Sequence, residues 1–369
     1  MSDALSRWYH GRRVLVTGHT GFKGAWLTAW LRAAGAVVTG YALAPERGRR
    51  SLYLEAGLDA GITSIIDDIS DLERLRAATR DAAPEIVFHL AAQSLVRRSY
   101  RDPVATMATN VLGTAHLLEV VRETPGVRAV VVVTSDKCYE NDGSGRPLAE
   151  DAPMGGHDPY SASKGCAELV AAAWRRSFLG AQGVAVATAR AGNVFGGGDW
   201  AEDRLVPDLL GAAGRGEVAV IRNPAAIRPW QYVLEPLHGY LLLGQALAMR
   251  GDAIAGGWNF GPDLADALPV RDIAAQLSAA WDRVRVIESV DPDAPHEAVT
   301  LTLDARKARE QLGWEPRLTL QDALDTTARW YRDAASDAES VPALVARDLA
   351  AFQAHLSPAT AAHSGTRSS

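Results

Sequence analysis

A tyrosine and a lysine four residues apart, Tyr160 and Lys164, form the first pair in this chain whose types and spacing point to chemistry. Residues at i and i+4 share one face of a helix, so the ammonium can lie beside the phenol. A nearby positive charge lowers the pKa of a phenol and lets the tyrosinate accept a proton near neutral pH. Ser135 lies one strand–helix unit earlier in the chain, at the end of a predicted strand. The three side chains predict a proton-transfer site, although Tyr160 and Lys164 alone also fit a surface pair.

A glycine-rich loop, Thr17-Gly-His-Thr-Gly-Phe-Lys-Gly24, joins the first predicted strand to the first predicted helix. Glycines allow a tight turn and a close approach to a pyrophosphate, which the free amides of the helix N-terminus then bind. The position of the loop between a strand and a helix favours a dinucleotide site over a bare glycine turn.

The expected acid that would hold the ribose of NAD is missing from the end of the second predicted strand. The nearest acid there is Glu46, and Arg47, Arg49 and Arg50 follow it. An arginine in this place can accept a 2′-phosphate, so NADP is not excluded, and a solvated basic loop is the simpler interpretation.

Short apolar runs alternate with helical stretches through the first half of the chain. The strands are predicted at 14–17, 36–43, 64–66, 86–90, 129–133 and 184–189, and the helices between them include 24–34, 71–83, 104–123 and 160–178. This order predicts right-handed crossovers and a parallel sheet covered on both faces. The rhythm fades after about residue 193, where further helices at 207–213, 236–249, 270–280 and 320–333 predict a smaller lobe.

Composition excludes several functional classes. The chain has 369 residues, 47% of them apolar, with a net charge of −6, so nothing favours nucleic-acid binding. Its 2 cysteines cannot form a disulfide framework, and no pattern predicts a metal site. No apolar run approaches the roughly 18 residues of a membrane span, and no targeting signal is evident at the start. We expect a cytoplasmic protein with no membrane contact.

The motifs together resemble the extended short-chain dehydrogenase/reductases. Within that superfamily, VLVTGHTGFKGAWL, VFHLAAQSLVRRSY, TSDKCYE, GGHDPYSASKGCAELV, RAGNVFGGGDWAEDRLVPD and RNPAAIRPWQYVLEPLHGY resemble the CDP-glucose 4,6-dehydratases, over roughly residues 10–335. The resemblance implies an α/β fold, with a Rossmann-type doubly wound parallel sheet and a smaller C-terminal substrate-binding lobe. It implies an NAD(P)-binding domain at 10–195 with returns near 231–260, and a nucleotide-sugar lobe at 196–230 and 261–335. A C-terminal helix and a disordered tail would occupy 336–369.

The implied reaction converts CDP-glucose to CDP-4-keto-6-deoxy-glucose with NAD as a regenerated cofactor. Tyr160 would take the C4 hydroxyl proton, Ser135 would hydrogen-bond the same oxygen, and Lys164 would keep Tyr160 ionisable. Asp136 would protonate the departing C6 hydroxyl if burial raises its pKa. Lys137, which replaces the glutamate of the dTDP-glucose dehydratases, would be the C5 base or would stabilise an enolate. A structural Asp136–Lys137 ion pair is the remaining alternative.

The resemblance also implies two sets of binding residues. The cofactor set comprises Gly18, Thr20, Gly21, Phe22, Lys23, Gly24, Asp68, Ile69, Leu90, Ala91, Ala92, Asn110, Tyr160 and Lys164. The substrate set comprises Gln93, Arg190, Asn193, Asp199, Arg204, Arg228, Trp230 and His296. Arg204 and Arg228 are expected to bind the diphosphate, because guanidinium groups grip phosphate at two points. Trp230 fits base stacking or core packing equally, and Asn110 fits either a supporting role at the catalytic helix or ordinary packing.

Other functions remain open from the sequence alone. A nucleotide-sugar 4-epimerase would use Ser135, Tyr160 and Lys164 but would not need Asp136 and Lys137. A dehydratase acting on dTDP- or GDP-linked sugars would use the same groups. A non-catalytic dinucleotide-sensing protein would keep the glycine loop, but the intact catalytic tyrosine argues against it. The apolar helices at 104–123 and 160–178 suggest pairing across a two-fold axis, so we expect a homodimer.

Overall fold

The computed structural model of the chain describes residues 4–289 and 301–356. Its strands are β1 (Arg13–Thr17), β2 (Val37–Ala42), β3 (Thr63–Ile66), β4 (Ile86–His89), β5 (Ala129–Val133), β6 (Ala185–Ala191), β7 (Asn193–Phe195), β8 (Val218–Ile221), β9 (Ile227–Tyr232), β10 (Gly256–Phe260), β11 (Ala267–Pro269) and β12 (Arg285–Glu288).

The helices surround these strands. They are α1 (Ala4–Tyr9), α2 (Phe22–Ala33), α3 (Leu52–Glu55), α4 (Leu72–Ala82), α5 (Val96–Arg101), α6 (Pro103–Met107), α7 (Gly113–Glu123), α8 (Pro159–Trp174), α9 (Leu205–Arg215), α10 (Leu234–Arg250), α11 (Val270–Ala280), α12 (Arg306–Leu312), α13 (Leu320–Ala335) and α14 (Val341–Leu356).

A seven-stranded parallel sheet forms the centre of the molecule, in the order β10-β6-β5-β4-β1-β2-β3. The chain moves outward from β1 in both directions, which confirms the doubly wound Rossmann-type fold. Central strands such as β5, Ala-Val-Val-Val-Val, are buried along their whole length because helices cover both faces. The C-terminal ends of β1, β4, β5 and β6 therefore meet along one edge, where open sheets of this kind bind ligands.

Two apolar cores hold the helices to the sheet. On one face, α2 and α10 pack against it with large side chains that include Trp26, Trp30, Phe88 and Trp258. On the other face, α4 and α7 contribute a smaller core that includes Leu117. The long α10 also contacts β4, β5 and β6, so it supports the middle of the sheet.

The smaller lobe is built on two short sheets, β11-β9-β7 and β12-β8. The helices α9, α11 and α13 pack together beside them. β9 pairs with β7 in parallel, with Asn193 opposite Trp230. The last helix, α14, packs back on α13, α2 and α3. The tail that the sequence predicts to be disordered lies outside the described residues from 357 onward.

The predicted helix over 104–123 differs from the structure in one respect. It runs from Pro103 to Glu123, but a π-helical turn at Ala108–Leu112 interrupts its α-helical hydrogen bonding. This turn carries Asn110, which bonds to two neighbouring segments instead of following the regular helical face. Within the described residues, Pro103–Glu123 is also the one helix that matches a membrane span in length and composition. Its C-terminal part packs against α4 and α8 in this structure.

Candidate active site

The glycine loop makes its turn through backbone contacts that no side chain would allow. Gly18 has φ +76°, and a Cβ there would lie 2.6 Å from the Ala91 amide nitrogen. A Cβ on Gly24 would lie 2.0 Å from the Gly18 carbonyl oxygen. α2 begins at Phe22 with no side-chain cap, so its first amides face the end of the sheet. The loop therefore presents the donors and the dipole that a pyrophosphate needs.

The segment after β4 is tied to the glycine loop. The Leu90 amide donates to the Thr17 carbonyl (3.0 Å), and the Ala91 amide donates to the Thr17 hydroxyl (3.2 Å). That hydroxyl also bonds His89 Nδ1 at 2.7 Å. Burial lowers the pKa of His89 to about 3, which makes the ring a neutral support for the segment. Leu90, Ala91 and the neighbouring Ala92 thus line the sheet edge beside the glycine loop.

The far end of the predicted cofactor groove is formed by β2 and the turn after β3. Thr20 donates its hydroxyl to the Leu43 carbonyl at 2.8 Å. Tyr41 donates to the Asp68 carbonyl at 3.0 Å, and the Asp68 carboxylate accepts the Ser70 amide. Ile69 is buried and packs where a side chain on Gly113 would clash with it.

Two of the arginines after β2 are bound to protein groups. Arg49 pairs with Glu202 at 2.5 Å, and Arg50 makes a two-point contact with Glu55 at 2.8 and 2.9 Å. The Arg50 guanidinium also stacks over Trp200, 3.7 Å from the ring centre. These arginines join the loop after β2 to the segment after β7, so they have a structural role that the sequence interpretation did not anticipate.

The residues predicted to be catalytic converge at the C-terminal end of β5. Ser135 follows this strand and caps a short 3₁₀ turn, Asp136–Cys138. The Ser135 hydroxyl donates to Asp136 Oδ1 at 2.9 Å, and Lys137 Nζ lies 3.9 Å from the same oxygen. Tyr160 stands in the first turn of α8, which Asp158 caps by accepting the Ser161 amide at 2.9 Å.

Burial dominates the electrostatics of this set. It raises the pKa of Tyr160 to about 12, against the hydrogen bond from Ser135, and Asp136 raises it further. Burial also lowers the pKa of Lys164 to about 8, while Glu168 raises it. The Lys164 amine donates to the Val133 carbonyl at 3.2 Å. The expectation that Lys164 lowers the pKa of Tyr160 is thus not what this structure shows, because the amine bonds the strand and the phenol is enclosed.

Lys23 belongs to the same electrostatic cluster. Burial and Arg204 lower the pKa of this lysine to about 7, and Asp136 and Asp199 raise it. The charge of its ammonium is therefore coupled to the Asp136 carboxylate, although Lys23 itself belongs to the glycine loop. The sequence interpretation placed Lys23 with the cofactor only, because the direction of its side chain is set by the turn and not by the motif.

The segment after β7 carries further charged side chains, Asp199 and Arg204, which the sequence assigns to the substrate. Arg204 donates to Asp199 Oδ2 at 3.0 Å and to the Ser94 hydroxyl at 3.1 Å. Asp199 is almost fully buried. Arg222 pairs with Asp203 at 2.8 Å, beside a cleft of about 460 Å³ between α9 and β8. Arg222 and this cleft carry no sequence motif, and the sequence interpretation missed both.

A model of the GDP-mannose 4,6 dehydratase family matches residues 15–327 of the chain. The chain belongs to this family, within the extended short-chain dehydrogenase/reductases. It is 49% identical over 332 residues to a CDP-glucose 4,6-dehydratase of Salmonella typhimurium, covering 88% of this chain and 91% of the relative.

Solved structures of such enzymes are similar to the whole fold. A dTDP-glucose 4,6-dehydratase from Streptomyces venezuelae with bound NAD is 27% identical, with a TM-score of 0.74, and the match covers 89% of this chain and 99% of that one. A UDP-glucose 4-epimerase of Thermus thermophilus in complex with NAD is 26% identical, with a TM-score of 0.76, over 87% and 99%.

Within this dehydratase family fold, Asn110 and Gln93 are committed to protein partners. Asn110 Oδ1 accepts the Gln93 amide at 2.8 Å, and its Nδ2 donates to the Gln93 carbonyl (3.0 Å) and to Ser163 Oγ (2.8 Å). The Gln93 side chain bonds the Leu95 amide and carbonyl and the Thr106 hydroxyl. These contacts brace the segment after β4 against α8, which favours a supporting role for both amides.

Two of the predicted substrate residues, Arg190 and Trp230, also bind protein groups. Arg190 is 4% exposed and is held by Glu168, Tyr139 and the Glu150 carbonyl, which favours a structural role over contact with the substrate. Trp230 is buried and donates Nε1 to the Leu268 carbonyl at 2.9 Å, which favours its core interpretation.

Asn193, Arg228 and His296 are three further residues that the sequence assigns to the substrate. Asn193 begins β7, next to Gly192, where a Cβ would lie 3.1 Å from Asp136 Oδ2. Arg228 is largely buried on β9 and donates to the Ile227 carbonyl at 2.9 Å. His296 lies outside the described residues.

Proposed function

We propose that this chain catalyses the NAD-dependent dehydration of CDP-glucose to CDP-4-keto-6-deoxy-glucose. The observation that carries the proposal is a buried carboxyl, Asp136, adjacent to Ser135 and in the electrostatic surroundings of Tyr160. Oxidation of an alcohol by NAD needs a proton acceptor from the protein, whereas loss of water also needs a base at C5 and an acid for the departing hydroxyl. The identity to a CDP-glucose 4,6-dehydratase supports the substrate.

The glycine loop and the segment after β4 fit a dinucleotide, because Gly18 and Gly24 let the loop turn tightly against Ala91 and against its own backbone just before α2, whose first amides can bind a pyrophosphate. When bound, NAD would supply the hydride acceptor that C4 oxidation needs and the hydride donor that C6 needs. Tyr160 holds and removes the C4 hydroxyl proton, and Ser135 orients the same oxygen. Lys164, one helical turn further on, is placed to hold the nicotinamide ribose and to add positive charge when the site is filled.

Asp136 and Lys137 divide the elimination between them. Asp136 is 1% exposed and lies beside Ser135, so it is our candidate acid for the C6 hydroxyl. Lys137 is more open and lies 3.9 Å from Asp136, so it is the candidate base at C5 or the cation that stabilises an enolate. The two roles for Lys137 differ in whether its amine must lose its proton first.

In this proposal, arginines of the smaller lobe bind the nucleotide end of the substrate. We place the diphosphate between Arg204 and Arg228, with Asn193 beside the sugar. The cleft between α9 and β8, about 460 Å³ in volume and bordered by Arg222, is within the usual size range for a small-molecule site and is our candidate for the nucleoside. The domain division at 10–195, 196–230, 231–260 and 261–335 follows the same separation of cofactor from substrate.

Incubation with CDP-glucose, dTDP-glucose, GDP-mannose and UDP-glucose tests this proposal, with products read by mass spectrometry. We expect loss of one water from CDP-glucose and slower conversion of the others. An unchanged mass with an altered C4 configuration would instead identify an epimerase. Absence of any turnover, with NAD still bound, would identify a dinucleotide-sensing protein.

We further propose that the protein is a homodimer in the cytoplasm. Three large apolar side chains are exposed on the adjacent helical stretch 103–123 and on α8: Val104 (81%), Leu112 (56%) and Leu169 (61%). Helices with such faces commonly pair across a two-fold axis. Sedimentation of the wild type and of Leu169→Glu tests the interface. A monomeric wild type at micromolar concentration would contradict it, and fractionation of cells tests the location.

A further inference from the structure

A buried ion pair lies directly behind the catalytic set. Glu168 on α8 and Arg190 on β6 make a two-point contact, with Arg190 Nε 2.9 Å from Oε1 and Nη2 2.7 Å from Oε2. Each side chain is 5% exposed. A buried pair of charges is maintained only where further hydrogen bonds satisfy its remaining donors and acceptors. The residues that supply those bonds therefore show what the pair holds in place.

Both carboxylate oxygens accept a second hydrogen bond, one from the end of β5 and one from the middle of β6. The Thr134 hydroxyl donates to Glu168 Oε1 at 2.5 Å, and the Thr188 hydroxyl donates to Oε2 at 2.6 Å. Thr134 is the residue before Ser135. The carboxylate thus fixes the point at which β5 ends and the catalytic segment begins.

The guanidinium holds the other end of that segment. Arg190 Nη1 donates to the Tyr139 hydroxyl at 2.5 Å, and Tyr139 directly follows the Asp136–Cys138 turn. The Tyr139 hydroxyl donates in turn to Asn259 Oδ1 on β10 at 2.7 Å. One ion pair therefore grips the catalytic turn at both ends and connects it to β6, β10 and α8.

Glu168 also acts on the catalytic lysine, which lies one helical turn earlier. Among the groups around Lys164, burial keeps the Cys138 thiol protonated and the His89 ring neutral, and Lys23 is a further cation. Glu168 is the anion that raises the pKa of Lys164 against the burial that lowers it to about 8.

We propose that Glu168 and Arg190 are positioning residues for the dehydration: they fix Ser135 and Asp136 in register with Tyr160 and Lys164. Neither touches the reacting atoms, since the two side chains bind each other and hydrogen-bond to Thr134, Thr188 and Tyr139. The inference rests on the proposed function. It also explains why a guanidinium at the ligand-binding end of β6 is turned away from the substrate.

The test compares Glu168→Gln and Tyr139→Phe with the wild type, with Glu123→Gln as a matched control. Glu123 pairs with Arg76 at 2.7 Å between α4 and α7, away from the site. Glu168→Gln keeps the shape but removes the charge. We expect kcat with CDP-glucose to fall by about 10- to 100-fold at a nearly unchanged KM, as misplacement of catalytic groups produces. The alkaline limb of its pH profile should move to lower pH, because Lys164 loses its anion.

Tyr139→Phe breaks only one end of the grip and leaves the ion pair intact. It should lower kcat several-fold without moving the alkaline limb, and Glu123→Gln should match the wild type. If Glu168→Gln does not fold, Tyr139→Phe decides the matter alone. Wild-type kcat in Tyr139→Phe, or a Glu168→Gln variant with wild-type kcat and an unmoved limb, would overturn the inference.

A wild-type enzyme that fails to convert CDP-glucose would instead contradict the proposed function. The inference can still be tested in that case through NAD affinity. Titration of tryptophan fluorescence with NAD between pH 7 and 10 should show affinity lost at lower pH in Glu168→Gln than in the wild type. Coincident curves would count against the positioning role even then.

Discussion

Replacing Asp136 by asparagine should separate the two halves of the reaction. Asparagine has the same shape, and its side-chain oxygen can still accept the 2.9 Å hydrogen bond from Ser135. What the variant lacks is a proton to give. We therefore expect C4 oxidation to proceed and loss of water to stop, with reduced cofactor accumulating.

The size of the effect follows from the position of the carboxyl. Asp136 is 1% exposed, and within the described part of the chain its Oδ2 has no hydrogen-bond partner. Bulk water is therefore a poor substitute as the acid. Removal of a positioned general acid costs about 10²- to 10⁴-fold in rate, or about 3–5 kcal/mol in the barrier. The dehydration rate of Asp136→Asn should fall within that range.

The assay follows reduced nicotinamide by absorbance and the dehydrated product by mass in the same reaction. Asp348→Asn is the matched control, since Asp348 is equally enclosed but lies on α14 with Arg347 and Tyr232 as partners. The control should show wild-type kinetics. If Asp136→Asn forms the dehydrated sugar at the wild-type rate, Asp136 is not the acid.

Three other predictions concern Tyr160 and Lys23 in the site and Glu235 on α10. Tyr160→Phe should reduce formation of reduced cofactor by about 10²- to 10⁴-fold while CDP-glucose still binds, as measured by rapid-mixing absorbance and calorimetry; retained oxidation would remove Tyr160 from its role. Burial lowers the pKa of Lys23 to about 7, and a bound phosphate should raise it. NAD affinity should therefore fall as pH rises through 7, and Lys23→Met should abolish that slope in fluorescence titrations. An unchanged slope in the variant would exclude Lys23 from phosphate binding. Burial raises the pKa of Glu235 from 4.5 to about 7, so the folded state binds the proton more tightly and stability is lost as pH rises from about 4.5 to 7. Glu235→Gln should remove about 3 kcal/mol of this pH-dependent loss in the free energy of unfolding, measured with denaturant. A variant whose stability depends on pH in parallel with the wild type would contradict the burial argument.

The sequence predicted the parts of the fold that depend on local pattern. The glycine spacing, the buried runs such as β5 and the Tyr160–Lys164 spacing each depend on a few neighbouring residues, and each identifies its element. Short helices such as α1 and α12 were missed, because a few residues carry too little periodicity to show. The π turn around Asn110 was missed for a related reason, since one extra residue in a helix leaves no mark on an apolar pattern.

Arg190 shows why site residues are harder to predict than elements. A guanidinium at the end of a strand suits a phosphate and a carboxylate equally well. Its actual partner, Glu168, is 22 positions away on a helix, and only the packing of α8 against β6 brings the two together. Gln93 and Asn110 pose the same problem, because an amide that binds a ligand and one that binds a neighbouring loop have the same sequence.

The charge of Asp136 affects the proton on Tyr160. The Asp136 carboxylate raises the pKa of Tyr160, while the Ser135 hydrogen bond and Arg204 lower it. An asparagine at position 136 carries no charge, so it removes one of the effects that hold the proton on the phenol. The same asparagine cannot act as the acid for the C6 hydroxyl. Oxidation at C4 should therefore survive in that variant when dehydration does not.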